Sequence, residues 1–147
     1  MDILIVEDNA NKLRQIKEFF NECYPDYSIT ESHSFRDGLL KVYQNKSKLI
    51  ILDMTLPVYE ITHTESNENM KAVAGKEIMK RMINQKIMIP VIIITQFEKF
   101  DDGKVTLESL NNEFAQQYSD IWKGTVFYEN EDWRVLLKEL IDSLYIL

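Results

Sequence analysis

The stretch LIILDMTLP, residues 49–57, joins a short apolar run directly to an acid and then to a proline. The run has no polar alternation and is rich in β-branched residues, which is typical of a strand that is buried on both faces. Residues 3–6 (ILIV) and 91–94 (VIII) form two further runs of the same kind. The sequence therefore predicts three central strands of a parallel sheet.

Segments with other patterns surround these runs. Residues 28–32 and 125–128 are weaker strand candidates, and apolar side chains recur at helical spacing between the strands and at the end of the chain. The helical stripes lie near residues 13–23, 35–42, 79–83 and 133–144. This alternation gives five β–α units, and right-handed crossovers place the helices on both faces of the sheet. The predicted fold class is α/β, a doubly wound five-stranded parallel sheet.

Two connections are long for such a fold. Residues 58–74 are polar and show no periodicity, which is typical of a lid or of a partly disordered segment. Residues 96–123 contain an apolar stripe that predicts a helix at roughly 105–118. Both connections follow strands that carry candidate site residues.

Composition restricts the class of protein. The chain has 147 residues, 45% of them hydrophobic, and a formal net charge of -7, so it has the size of one domain and no excess of basic residues for a nucleic-acid surface. Cys23 is its only cysteine, which excludes a disulfide framework and favours a reducing, cytoplasmic location. The sequence contains neither a stretch of 18 apolar residues nor a signal peptide, so we expect no membrane association.

Polar side chains follow the three central strands. Glu7 and Asp8 follow the first, Asp53 follows the second, and Thr95 ends the third. Ligands of doubly wound sheets bind at the carboxyl ends of the strands, so we expect these side chains to lie together. Three neighbouring carboxylates repel one another unless a cation lies among them, and hard oxygen ligands select magnesium. Beside that ion, Asp53 can act as a nucleophile toward phosphorus.

The order ILIVEDN, LIILDMTLP, VIIITQF resembles the receiver domain of two-component response regulators, over essentially the whole chain. The resemblance implies the flavodoxin/CheY-like strand order 2-1-3-4-5. It also implies that Asp53 accepts a phosphoryl group from a histidine kinase or phosphotransfer protein, while Glu7 and Asp8 form the acidic pair. Asp8 is favoured over Glu7 as the direct metal ligand. The backbone carbonyl of Thr55 resembles the third protein ligand, and Thr95 resembles the switch hydroxyl.

The sequence departs from the family at two points. Receivers carry a lysine at the end of the fifth strand, but here the region reads GTVFYENEDW, residues 124–133, and contains no lysine. The equivalent position is Tyr128, Glu129 or Asn130, depending on the alignment. Lys99 and Lys104, in the connection after Thr95, are the candidate substitutes. Gln96 follows the switch threonine, where the family has a smaller residue, and is expected to restrict access to the site.

The departures leave a second interpretation open: a pseudo-receiver that binds protein partners without being phosphorylated. A phosphatase of the haloacid dehalogenase type is disfavoured, because Thr55 stands where that family has its second aspartate. We expect residues 1–147 to form a single receiver domain without an effector domain. It would be a signalling protein that acts through partners rather than an enzyme, with homodimerisation left open.

Overall fold

The computed structural model describes residues 2–59 and 70–144. The strands of these two ranges, numbered in chain order, are β1 (Asp2–Val6), β2 (Ser28–Ser32), β3 (Leu49–Leu52), β4 (Leu56–Pro57), β5 (Met70–Lys71), β6 (Val91–Thr95), β7 (Lys99–Phe100), β8 (Val105–Thr106) and β9 (Trp122–Phe127). The helices are α1 (Ala10–Cys23), α2 (Phe35–Tyr43), α3 (Ala74–Asn84), α4 (Leu107–Gln117) and α5 (Trp133–Ser143). None of these helices is long and apolar enough to cross a membrane.

The five longest strands form one parallel sheet in the order β2-β1-β3-β6-β9. Counted along the chain within this sheet, the order is 2-1-3-4-5, so the predicted α/β topology is confirmed. Helices α1 and α5 cover one face, and α2, α3 and α4 cover the other. The arrangement aligns the carboxyl ends of β1, β3 and β6 at the middle of one sheet edge.

Two apolar clusters, one on each face, hold the sheet. Leu4 and Val6 point into the cluster beneath α2, α3 and α4, whereas Ile3 and Ile5 point into the one beneath α1 and α5. All four side chains are fully buried. Burial on both faces is the physical reason why the central strands show no polar alternation.

The last strand differs from the prediction. It spans Trp122–Phe127 rather than residues 125–128, because Gly124 lies within it instead of before it. A Cβ atom on Gly124 would lie 2.8 Å from a methyl carbon of Leu140 in α5. Glycine at this position permits close packing of α5 on the strand. A sequence pattern does not distinguish such a glycine from one that forms a turn.

The long connections are partly ordered. In the first, β5 pairs antiparallel with β4, which lies just before this connection, so the prediction of a structureless segment is wrong at residues 70–71. Residues 60–69 lie outside the described residues. In the second, β7 and β8 form a hairpin before α4. The predicted helix at 105–118 is confirmed, with bounds of Leu107–Gln117.

Candidate functional site

Three acidic side chains meet at the carboxyl edge of the sheet, as predicted. Glu7 and Asp8 follow β1, Asp53 follows β3, and carboxylate oxygens of all three lie within 4.8 Å of one another. Glu7 and Asp53 are buried, with 1% and 2% of their surfaces exposed. Asp8 is half-buried, so the cluster reaches solvent on the side of Asp8.

A lysine that the sequence-based prediction omitted lies inside this cluster. The Nζ atom of Lys12, in α1, is 2.6 Å from Glu7 Oε1 and 3.3 Å from Asp53 Oδ1. It also donates to the carbonyl of Ile94 at 2.8 Å and to Gln96 Oε1 at 3.0 Å. Only 2% of its side chain is exposed. A lysine is almost never buried so deeply unless its charge is paired, as it is here.

The position of Lys12 follows from the start of α1. Asn9 caps the helix, its side chain accepting a hydrogen bond from the backbone N–H of Lys12 at 2.9 Å. Lys12 lies on the same helical face as Ile16 and Phe19, which are buried. A lysine on the apolar stripe of a helix, following a strand that ends in two acids, is the sequence signal that could have identified it.

Hydrogen bonds orient the two buried carboxylates. Glu7 uses both oxygens, since Oε1 contacts Lys12 and Oε2 accepts from the backbone N–H of Asn9 at 3.1 Å. Asp53 Oδ1 accepts from the backbone N–H of Met54 at 2.8 Å. Among the described residues no hydrogen bond reaches Asp53 Oδ2. Oδ2 is therefore the oxygen that Asp53 can offer to a ligand.

Two acids of the cluster, Glu7 and Asp8, have raised pKa values. Burial, followed by repulsion from Asp53, raises the pKa of Glu7 to about 8, against the attraction of Lys12. Burial and Asp53 also raise the pKa of Asp8. The causes are desolvation and repulsion between like charges, and a bound cation would offset both effects.

The donor set fits a divalent cation. Three carboxylates face one ammonium, so two negative charges have no compensating charge within the cluster. Carboxylate oxygens are ligands that magnesium prefers. Because Glu7 already uses both oxygens, Asp8 and Oδ2 of Asp53 are the atoms best placed to bind a metal directly.

The loop after Asp53 is held by α3 and by the segment that precedes it. The hydroxyl of Thr55 donates to the carbonyl of Ala72 at 2.9 Å, and the N–H of Gly75 donates to the carbonyl of Met54 at 3.0 Å. A Cβ atom on Gly75 would lie 2.8 Å from the carbonyl oxygen of Asp53. Glycine at this position lets the helix approach the loop and fixes the backbone of Asp53.

Thr95 ends β6 and is fully buried beside the cluster. Its hydroxyl accepts a hydrogen bond from the backbone N–H of Phe97 at 3.3 Å, which leaves the hydroxyl proton available for another acceptor. The sheet thus brings the predicted threonine to the same edge as the acids.

Sequence comparison identifies the family. The Detocs response regulatory protein DtcB from Enterobacter cloacae is 31% identical over 150 residues, which cover 98% of this chain and 100% of that protein. This chain belongs to the response regulator receiver family. No protein-family model matches the receiver.

Solved structures show the same fold. A CheY-like receiver domain from Methanospirillum hungatei has a TM-score of 0.65 and 20% identity, over 97% of this chain and 92% of that one. The receiver domain of a sensor histidine kinase from Pseudomonas aeruginosa has a TM-score of 0.63 and 15% identity, over 97% and 94% of the two chains. That structure contains a magnesium ion coordinated in its active-site cleft.

The position of the ammonium needs a correction. Lys99 and Lys104, the candidates from the sequence, lie exposed in and beside the β7–β8 hairpin. Tyr128 follows the fifth strand of the sheet, and its ring centroid lies 5.6 Å from the Nζ atom of Lys12. Gln96, expected to restrict access, accepts a hydrogen bond from Lys12. The receiver therefore has an ammonium beside Asp53, and α1 supplies it.

The pKa of Glu7 predicts how stability depends on pH. Because this pKa is raised from 4.5 to about 8, the folded metal-free receiver binds more protons than the unfolded chain between these pH values. Its free energy of unfolding should therefore fall as pH rises through that window, by an amount on the order of a few kcal/mol. Urea unfolding in EDTA at pH 5.5 and pH 8 measures the change.

Two controls isolate this effect. Glu7→Gln should flatten the dependence on pH, and magnesium should stabilise the wild type more at pH 8 than at pH 5.5, since it favours ionised ligands. The lowered pKa values of Glu31 and Asp37 act below this window. A metal-free stability that rises between the two pH values would contradict the assignment.

Proposed function

We propose that this receiver accepts a phosphoryl group on Asp53 beside a magnesium ion. Asp8, Asp53 and the backbone carbonyl of Thr55 would bind the ion directly, and Glu7 would add its negative charge beside it. The observation that carries the proposal is the meeting of three carboxylates with one buried ammonium at the carboxyl edge of the sheet. Burying several charges together lowers the stability of the fold, so such clusters are typical of functional sites. Phosphoryl transfer is a reaction in which each of these charges would have a role.

Asp53 Oδ2 would supply the electron pair that forms the bond to phosphorus. The bond between phosphorus and the donor breaks, and the donor keeps that electron pair; for a phosphohistidine donor, the leaving group is the imidazole ring. The product is an aspartyl phosphate. A bound magnesium ion offsets negative charge on the phosphoryl oxygens.

Thr95 would bind the product. The hydroxyl already accepts from Phe97 and retains its own proton, so it can donate to a phosphoryl oxygen. A shift of Thr95 toward Asp53 would move the segment between β6 and α4, because Phe97 is tied to the same oxygen. This coupling would signal phosphorylation to the face around α4.

The proposed partners are proteins. A histidine kinase or phosphotransfer protein would donate the phosphoryl group, and a downstream protein would recognise the altered face. The net charge of -7 disfavours a nucleic-acid partner for this chain. We propose a cytoplasmic receiver that acts as one domain and signals through protein contacts rather than by catalysis.

Intact mass tests the proposal. Wild type incubated with magnesium and acetyl phosphate should gain the mass of one phosphoryl group. EDTA present during the incubation should prevent this gain, and acid treatment afterwards should remove it. Asp53→Asn removes the nucleophile, so it should gain no mass, while Asp26→Asn, on the exposed turn before β2, should behave as wild type. A wild type that gains no mass, or an Asp53→Asn variant that gains as much, would contradict the proposal.

One observation favours a second candidate, the phosphorylation-independent binding module. Asp53 is only 2% exposed, and Lys12 lies 3.3 Å from its carboxylate, so a donor must displace neighbouring atoms to reach it. The mass experiment separates the two functions, since a binding module would retain magnesium-independent partner binding without any phosphoryl gain.

A further inference from the structure

We propose that Lys12 is the phosphoryl-binding cation of this receiver, in place of the lysine that the family carries at the end of the fifth strand. The inference rests on the proposed phosphorylation of Asp53 and identifies the side chain that stabilises its product. The ammonium would contact a phosphoryl oxygen on the side of Asp53 away from the metal ligand Asp8. Lys12 comes from helix α1 rather than from the end of a strand, and from a distant part of the sequence, but its charge would occupy the same site.

The contacts of the ammonium suit this role. Lys12 has three N–H donors and four acceptors around it, at 2.6 Å (Glu7), 2.8 Å (Ile94), 3.0 Å (Gln96) and 3.3 Å (Asp53). The contact to Asp53 Oδ1 is the longest. It is therefore the one most readily exchanged for a phosphoryl oxygen, while the other three keep Nζ in place.

Lys12 leaves Asp8 and one oxygen of Asp53 available for a metal ion. Its ion pairs within 4.0 Å, among the described residues, are with Glu7 and Asp53 and not with Asp8. The ammonium approaches Asp53 through Oδ1, whereas Oδ2 has no hydrogen bond in that part of the chain. Ammonium and cation can thus occupy the site together, one on each side of Asp53.

The two residues at which the sequence departs from the family, Gln96 and Tyr128, both lie next to this lysine. Gln96, larger than the residue that receivers carry, accepts a hydrogen bond from Nζ at 3.0 Å. Tyr128, at the end of the fifth strand, presents its ring to Nζ, and its hydroxyl is held by Gln15 of α1 at 2.5 Å. The two departures from the family therefore have one explanation, since Gln96 and Tyr128 each contact the ammonium of Lys12 in this position.

Beryllofluoride binding tests the proposal, because this phosphoryl mimic forms its adduct on the acceptor carboxylate. We expect Lys12→Met to weaken beryllofluoride binding about 10- to 100-fold in saturating magnesium, as the loss of a charge-assisted hydrogen bond does. Magnesium affinity measured without beryllofluoride should be unchanged or higher, since a neighbouring positive charge has been removed. Isothermal titration calorimetry measures both affinities.

Three lysines serve as matched controls. Lys17→Met lies on the same helix but outside the cluster, paired with Glu31, and Lys99→Met and Lys104→Met remove the candidates that the sequence suggested. All three should bind beryllofluoride as wild type does. The double variant Lys12→Met/Tyr128→Lys places an ammonium directly after the fifth strand of the sheet, where the ring of Tyr128 now faces Lys12, and should recover most of the lost affinity.

The beryllofluoride titrations distinguish a failure of this inference from a failure of the proposed phosphorylation. Equal beryllofluoride binding by wild type and Lys12→Met would overturn this inference and leave the phosphorylation of Asp53 standing, whereas no binding by wild type would overturn both. If Lys12→Met does not fold, Glu7→Gln/Lys12→Met removes the charge together with its partner. Compared with Glu7→Gln alone, it should show the same 10- to 100-fold loss, and no difference between them would overturn the inference.

Discussion

Replacing Lys12 with methionine should lower the free energy of unfolding of the metal-free receiver by about 3 kcal/mol at pH 8. The substitution removes the only ammonium within 4.0 Å of Glu7 and Asp53 in the described part of the chain, so two buried carboxylates lose their counter-ion. The methionine fills similar space with apolar atoms, but this gain is small beside the loss of the ion pairs that hold both carboxyl groups.

This loss should depend on pH and on magnesium. At pH 5.5 Glu7 can take up a proton, because burial raises its pKa to about 8 with Lys12 present and further without it. The destabilisation should then be smaller than at pH 8, and saturating magnesium should recover much of it at the higher pH. Urea unfolding followed by far-UV circular dichroism measures these differences.

A matched control is available on the same helix. Lys17 is 42% exposed and pairs with Glu31, an arrangement that contributes about 1 kcal/mol or less. Lys17→Met should therefore have little effect. If Lys12→Met is no more destabilising than Lys17→Met at pH 8, the buried ion pairs do not hold the site as described.

The second large effect concerns the metal. Asp8→Asn should weaken magnesium binding by about 100-fold, because Asp8 is the half-buried acid with the fewest competing contacts and the best access to solvent. Glu7→Gln should cost less, since both oxygens of Glu7 are already engaged by Lys12 and Asn9. Calorimetric titration with magnesium at pH 8 gives both values.

Asp26→Asn controls for the loss of one negative charge. Asp26 is exposed in the turn between α1 and β2, so its substitution should leave magnesium binding within about twofold of wild type, as expected for a screened surface charge. Equal losses in Asp8→Asn and Asp26→Asn would mean that the acidic cluster is not the magnesium site.

Much of the fold could be predicted from the central strands. Residues 3–6, 49–52 and 91–94 are apolar without alternation because both faces of each strand are covered, and that property is local enough to see in a sequence. The positions of the acids and the threonine could be predicted as well, because these residues stand at the ends of the three strands. A parallel sheet places such residues at one edge without further information.

Features that depend on packing between distant segments could not be predicted. Gly124 resembles a turn residue until Leu140 is seen against it, and the pairing of β4 with β5 joins two segments with little strand pattern. Lys12 is the most important case. Its place on the apolar stripe of α1 indicates burial, but only the sheet edge reveals the carboxylates, the carbonyl of Ile94 and the amide of Gln96 around it.

An expected residue can be absent from its usual position when another segment supplies its charge. The proposed phosphoryl transfer requires positive charge near Asp53, not a lysine on a particular strand, and α1 begins close enough to β6 for Lys12 to reach the carbonyl of Ile94 at 2.8 Å. Tyr128 and Gln96 then fit a lysine that arrives from this side. The site retains its charges although the chain supplies one of them differently.

A crystal structure of the receiver with magnesium and beryllofluoride tests the central claim most directly. The account predicts beryllium bonded to Oδ2 of Asp53, magnesium beside Asp8, and Nζ of Lys12 within hydrogen-bonding distance of a fluoride. An adduct on another residue, or a fluoride approached by a different lysine while Lys12 remains paired only with Glu7 and Asp53, would contradict it.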